Sequence, residues 1–160
     1  MAKSYGTTTC PVARTLEVIG ERWTMLVIRD LLYGAKRFQD LQDSLEGVAP
    51  NVLSGRLKTL EEHGLVQREF YSQHPPRAAY ALTKAGRDLA PTLRSLAVWG
   101  MRHFGGSTQV VHQECGHPIE LQSYCPHCEK TIPSEAVVVK RPERRGAAPA
   151  APARSRRRSG

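Results

Sequence analysis

The apolar positions are most regular between Gly47 and Leu65, where the chain reads GVAPNVLSGRLKTLEEHGL. Leu53, Leu57 and Leu60 recur at i, i+4 and i+7, which draws one narrow apolar stripe on a helix. Pro50 suits the first helical position, where a missing N–H costs nothing. Gly64 suits the left-handed residue that ends a helix. With Leu53 at the centre of the buried side, a step of ~100° per residue puts Asn51, Ser54, Gly55, Lys58 and Glu62 on the opposite side. That outer side is small, polar and cationic at its start. Either it is an ordinary solvated face, or it is a surface that approaches something closely.

Upstream, Val12, Leu16 and Ile19 share one helical face, and Gly20 closes that segment. A second helix starts near Thr24. WTMLVIRDLLYG is apolar on most sides, so Trp23, Leu26, Val27, Leu31 and Leu32 are its expected core residues, with Trp23 a core anchor. Arg37 precedes a short third helix, FQDLQDSL, with Phe38, Leu41 and Leu45 inward, and the turn Glu46–Ala49 leads into the helix described first. After Gly64 the period changes to two. LVQREFY and RAAYALT form an expected hairpin around the loop SQHPPR, which carries His74 and Arg77. Thr83 opens a final helix, TKAGRDLAPTLRSLAVWGMRHFG, which Pro91 kinks or breaks. Its Leu89, Leu93, Leu96, Val98, Trp99, Met101 and Phe104 form an apolar surface too wide for so small a domain to cover, and a second copy of the chain would bury it.

Two short helices joined by a tight turn and followed by a hairpin spell a winged helix-turn-helix, whose second helix enters a DNA major groove. In that setting the amide of Asn51 and hydroxyl of Ser54 reach base edges, Gly55 permits close approach and Lys58 meets phosphate. Arg77, with Arg68 beside it, suits a wing on the backbone. The hairpin also caps the core, which does not exclude contact. The expected fold is mainly α with a small β-hairpin wing, a small metal-knuckle ribbon and a disordered basic tail. Its parts span residues 10–104, 105–140 and 141–160.

Composition changes less than it first suggests. The net charge is +8 over 160 residues. Lys140 to Gly160 holds eight Lys or Arg against one acid, and the rest of the chain is nearly balanced. The high pI therefore belongs to the end of the chain, where a cationic tail either adds salt-sensitive attraction to DNA or merely solubilises. No apolar run of 18 residues exists, which argues against a membrane span, and residues 1–14 lack the apolar block of a signal peptide. A cytoplasmic protein is expected. Its four Cys are then metal ligands or reactive thiols before they are disulfides.

CPVARTLEVIGERWTMLVIRDLLYGAKRFQDL, VAPNVLSGRLKTLEEHGLV and YSQHPPRAAYALTKAGRDLAPTLRSLAVWG together resemble the HxlR family of bacterial winged-helix transcription regulators, over about Cys10 to Phe104. The resemblance implies a homodimer, more often a repressor, joined by its first and last helices on a pseudo-palindromic double-stranded operator. It implies reading or phosphate contacts from Asn51, Ser54, Arg56 and Lys58, with Arg77 on the wing and Arg37 before the third helix. Arg56 lies at the flank of the helical wheel. Ala49 stands where a Ser or Thr is frequent, which weakens the helix cap by ~1 kcal/mol. Cys10 occupies a place where some family members carry a thiol that senses oxidants or electrophiles, and a helix N-terminus raises thiol reactivity. The alternative for Cys10 is an inert residue at the dimer seam. The effector is not legible.

From Gly105 onward the pattern His112-x-x-Cys115…Cys125-x-x-Cys128 matches two metal knuckles. Four such ligands suit tetrahedral, structural Zn²⁺. His117 is a close rival for the fourth place and His127 a weaker one. A redox pair at Cys125 and Cys128 is the alternative, without the strand–helix context it needs. Such an appendage, poor in apolar residues, needs the metal to fold. AVVVK, beyond Ile132, is expected to add a strand. No constellation of nucleophile, base and orienting group is present, so an enzyme is not expected. A winged-helix module that binds only protein would carry an acidic outer face, and Asn51, Ser54 and Lys58 do not make one.

Overall fold

The structure is a computed structural model and describes residues 10–73, 76–106 and 109–140. It divides into two units, one running to Ile119 and the other starting at Glu120. The first unit thus continues past Gly105, where the composition shifts, and within it Val111 bridges Pro118. Residues 1–9, the tail from Arg141 and His74 lie outside the described residues.

In the first unit Pro11 opens α1 (Pro11–Ile19), and the Gly20 N–H closes it on the Leu16 carbonyl at 2.9 Å. Trp23 then adopts φ 79°, a left-handed backbone uncommon for a bulky side chain, and α2 (Thr24–Leu31) follows at once. Val27, Ile28 and Leu31 are buried, while Leu26 is exposed and Trp23 half-buried against the core. Ile28 therefore replaces Leu26 in the expected core. A helix apolar on most sides offers no contrast from which periodicity can choose its inner face.

A two-residue strand, β1 (Lys36–Arg37), leads into α3 (Phe38–Ser44) and then α4 (Pro50–Glu62). Strands β2 (Val66–Gln73) and β3 (Pro76–Leu82) complete an antiparallel sheet in the order β1-β3-β2. The expected two-stranded hairpin is thus a three-stranded sheet, with Lys36 opposite Tyr80 and Arg37 opposite Ala79. The register slips between Phe70 and Ser72, a bulge that explains the imperfect alternation there and leaves Phe70 and Tyr71 both exposed. Pairing also continues to Gln73 opposite Pro76, so the connecting loop is shorter than SQHPPR.

The core gathers Val27, Ile28, Leu41, Leu53, Leu57, Leu60 and Val66, each at most 2% exposed. Polar pins surround it. Ser44 donates to the buried Asp30 carboxylate at 2.6 Å, tying the end of α3 to α2. Thr83 donates its hydroxyl to the Gly64 carbonyl at 2.6 Å and accepts the Gly86 N–H at 3.2 Å, tying the end of α4 to α5 (Lys84–Arg87). Gly64 takes φ 66°, the left-handed turn expected after α4. Pro91 lies in the first turn of α6 (Ala90–Phe104), so the long terminal segment is broken rather than kinked. No residue of α6 is buried in the single chain.

In the second unit β4 (Ser123–Cys125) and β5 (Lys130–Ile132) form a hairpin, followed by a 3-10 turn at Ser134–Ala136. AVVVK adds no strand among the described residues. Pro133 and the 3-10 turn redirect the chain, and Val137, Val138 and Val139 stay exposed.

A Cβ at Gly86 would meet the Leu65 carbonyl oxygen and, at 2.9 Å, Leu82 Cδ2. Gly86→Ala is expected to lower stability by about 1–3 kcal/mol through overpacking. Gly55→Ala meets nothing within 4 Å and should raise stability by up to ~1 kcal/mol as a helix-interior replacement. Thermal melts of the two variants without DNA should move in opposite directions.

Candidate nucleic-acid interface

Burial of Leu53, Leu57 and Leu60 fixes the rotation of α4. Asn51, Ser54 and Lys58 consequently project into solvent and Gly55 is half-buried beside them. Among the described residues the side chains of Asn51 and Ser54 have no hydrogen-bond partner, so their donors and acceptors are free. Lys58 Nζ lies 3.8 Å from Glu62 Oε1, an exposed pair one turn apart. Such pairs hold together by well under ~1 kcal/mol, so a phosphate competes for the lysine easily. Ala49 caps α4 without a side-chain bond, as its methyl requires.

Arg56 is placed differently. Its side chain is 26% exposed, its guanidinium lies 3.6 Å from Glu21 of the α1–α2 turn, and its buried Nε has no hydrogen bond among the described residues. On the wheel Arg56 stands only ~60° from Leu53, which accounts for its burial. Glu21 is a partner that no local pattern announces, being 35 positions away.

Arg37 is exposed at the start of α3, where its N–H bonds the Asp40 carboxylate at 2.9 Å. Its guanidinium stacks over the Tyr71 ring at 4.7 Å, which sets a fixed positive charge between α3 and β2. Tyr71 escaped the sequence reading, and two adjacent aromatics in a nominally alternating strand were the available signal. Arg77 is exposed on β3 opposite Ser72, the residue after Tyr71. Arg68 is engaged by the fold instead, with Glu61 at 3.2 Å and the Tyr80 ring at 5.6 Å.

Cys10 is exposed at the start of α1, its carbonyl accepting the Arg14 N–H at 3.1 Å. In the 110–119 segment His112 Nδ1 lies 3.2 Å from Cys115 Sγ, and Gly116, at φ 70°, donates its N–H to the His112 carbonyl. His117 Nδ1 bonds the Cys115 carbonyl at 2.9 Å, which turns that nitrogen to backbone. Separately, Cys125 and Cys128 bracket the β4–β5 turn, with no helix at the pair. Hydrogen bonds from the Cys128 backbone, then the Cys128 side chain and the His127 backbone, hold the Cys125 thiol below the usual range. Those backbone donors around a sulfur stabilise a thiolate, the form a metal takes. Among the described residues no three His, Cys, Asp or Glu side chains stand together as a metal-holding group.

A helix-turn-helix with a free polar face on its second helix, beside a small antiparallel wing, defines the winged helix-turn-helix class. The chain belongs to the HxlR-like helix-turn-helix family, whose sequence pattern matches residues 18–108. It is 38% identical over 130 residues to an uncharacterised HTH-type transcriptional regulator of Mycobacterium bovis, an alignment covering 79% of this chain and 82% of that protein. The crystal structure of PA1607, named as a transcription factor, matches with a TM-score of 0.75 at 34% identity, over 88% of this chain and all of that one. That coverage reaches well beyond residues 18–108. The reduced form of the redox regulator HypR matches with a TM-score of 0.56 at 35% identity, over 59% of this chain and 96% of its own. No helix among the described residues is long and apolar enough to cross a membrane.

Because Arg56 is occupied by Glu21, Arg56→Gln and Glu21→Gln are expected to weaken DNA binding alike while leaving its dependence on salt unchanged. A phosphate contact would behave otherwise, its loss lowering the slope of log K against log salt by about 1. Binding titrations at several salt concentrations separate the two roles.

Proposed function

We infer that this chain is a sequence-specific DNA-binding transcription regulator, working as a homodimer on a two-fold operator and most simply by blocking promoter access. One observation carries the reading: the apolar side of α4 is sealed into the core while Asn51 and Ser54, opposite, are left without partners. Unspent hydrogen-bonding groups on a small-residue helix face match the donor and acceptor pattern of base edges. Lys58, Arg37 and Arg77 supply the phosphate contacts, and Gly55 lets the backbone approach. The family, and the regulators to which the chain is similar, support this reading.

The homodimer rests on apolar surface. Val12 and Leu16 of α1, and Leu96, Trp99 and Phe104 of α6, are all exposed in the single chain. Trp99 stacks within its own helix, against His103 at 4.7 Å and Phe104 at 5.2 Å. A second copy covering these helices would bury them and place two α4 helices on successive major grooves, about 34 Å apart. Cys10 sits at the start of α1 and would report on that contact, and the likeness to a redox regulator supports a thiol-responsive form.

Selection of bound duplexes from a random pool tests the reading. The recovered sites should carry two inverted half-sites about one helical turn apart. Asn51→Ala should relax preference at one position per half-site, whereas Lys58→Ala should weaken all sequences about equally and lower the salt slope by about 1. Identical, sequence-independent losses from both would refute base reading by α4. Protein alkylated at Cys10, carried through the same titration, should bind the selected site more weakly if the thiol is a sensor.

We also propose a structural Zn²⁺ for the Cys/His segment, with Cys125, Cys128, Cys115 and His112 as ligands and His117 as the rival to His112. The ligand types and their spacing in sequence support it. Metal analysis of protein purified without added chelator should give one zinc per chain. Cys128→Ser should remove it and expose residues 120–140 to protease, while operator binding by the winged helix persists.

A further inference from the structure

An open groove of about 440 Å³ lies in the first unit where α1, the end of α4 and the α5–α6 break meet. Pro11, Val18, Leu65 and Leu89 form an apolar floor, and Arg14 and His63 are the charged or titratable side chains of its lining. No carboxylate lines it among the described residues. Its volume falls within the roughly 300–1,000 Å³ usual for small-molecule sites.

Arg14 and His63 are both available to a ligand. His63 Nδ1 stands 2.9 Å from the Thr59 carbonyl, and a carbonyl only accepts, so Nδ1 carries the hydrogen and Nε2 is left for another partner. Arg14 is exposed and forms no ion pair among the described residues. Its guanidinium offers a planar fork that matches a carboxylate. The outward apolar side of α1 is mostly turned away from the groove. At ~100° per residue, Val12 and Leu16 lie about two fifths of a turn from the face made by Pro11, Arg14 and Val18, with Thr15 and Ile19, which also line the groove, between them. A second copy resting on Val12 and Leu16 therefore meets the groove at its Thr15 and Ile19 edge and not at Arg14 or Val18.

We propose that this groove is an effector site for a compact apolar carboxylic acid, with hydrocarbon on the floor and the carboxylate against Arg14. The site touches both α1, a dimerising helix in the function proposed above, and the residues that end α4. A ligand that fits one arrangement of these two elements better than another shifts the spacing of the paired α4 helices, and so operator affinity. The regulatory consequence rests on the proposed function, whereas binding itself does not.

Titration of the full chain with 2-naphthoate, and with 2-naphthalenemethanol as its neutral counterpart, tests the site through naphthyl fluorescence. The acid should bind saturably, one per chain, and at least tenfold more tightly than the alcohol. Arg14→Gln should abolish that preference. Ala85→Phe and Thr15→Phe, which add bulk from opposite walls of the groove, should block binding while leaving the melting temperature within a few degrees of the parent. Equal affinity for acid and alcohol, or binding that survives both bulky variants, would overturn the proposal. So would absence of binding combined with weaker self-association of the bulky variants, which would identify the occupant as a second copy. Operator affinity of naphthoate-loaded protein should differ at least threefold from that of free protein, and no difference would overturn the regulatory role. Failure to bind any selected duplex, with naphthoate binding intact, would instead refute the DNA reading alone.

Discussion

The seating of three leucines decides what the molecule presents to its surroundings. Leu53, Leu57 and Leu60 are each at most 1% exposed, and returning one such side chain to water costs about 1.5–3 kcal/mol. Turning α4 about its axis by even one residue step would expose part of that stripe, against a total stability of only about 5–15 kcal/mol for a domain. Rotation is therefore forbidden. Asn51, Ser54 and Lys58 do not face outward because they are polar; they face outward because the leucines cannot.

Hydrophobic contact is non-directional, so it sets the rotation of a helix better than its slide or tilt. Those are fixed by a few polar pins at the ends of the helices. Thr83 holds Gly64 at the end of α4, Ser44 holds Asp30 across α2 and α3, and Glu21 holds Arg56 from the α1–α2 turn. Each contributes little to stability, since partly exposed pairs and single hydrogen bonds are worth on the order of 1 kcal/mol. Their value is geometric. On the proposed function α4 has to meet base edges closely, and that is not left to grease alone.

The same division explains what could be read from the chain. The α4 stripe, Pro50 at its start and Gly64 at its end all announce themselves locally, and the residues proposed to read bases follow by subtraction. Pro91 likewise announced the break before α6. Long-range partners were not named: Glu21 stands 35 positions before Arg56, and the adjacent aromatics Phe70 and Tyr71 mark an irregular strand without naming Arg37 as the partner. Strand β1 escaped because two residues have no period, and it is recruited by β3 rather than by its own sequence. In α2 the exchange of Leu26 for Ile28 is the converse failure, too many apolar residues for the pattern to rank. The three valines after Ala136 carry strong strand propensity but find no partner strand, and propensity without a ladder is not a strand.

Charge completes the argument about specificity. The α4 face carries one lysine, already near Glu62, and the protein before Lys140 is nearly neutral. Such a surface cannot hold DNA tightly by counterion release alone, because that term scales with the number of phosphates neutralised. On the function proposed above, a weakly charged helix is an advantage when the wrong sequence must be released, since what remains is the proposed discrimination by Asn51 and Ser54 rather than indiscriminate attraction. The seven net positive charges between Lys140 and Gly160 lie elsewhere in sequence, and on the proposed function a cationic segment of that kind would raise the rate of encounter with DNA. On the proposed function, separating attraction from reading in this way would let salt tune how often the protein visits DNA while the leucine-anchored helix decides where it stays.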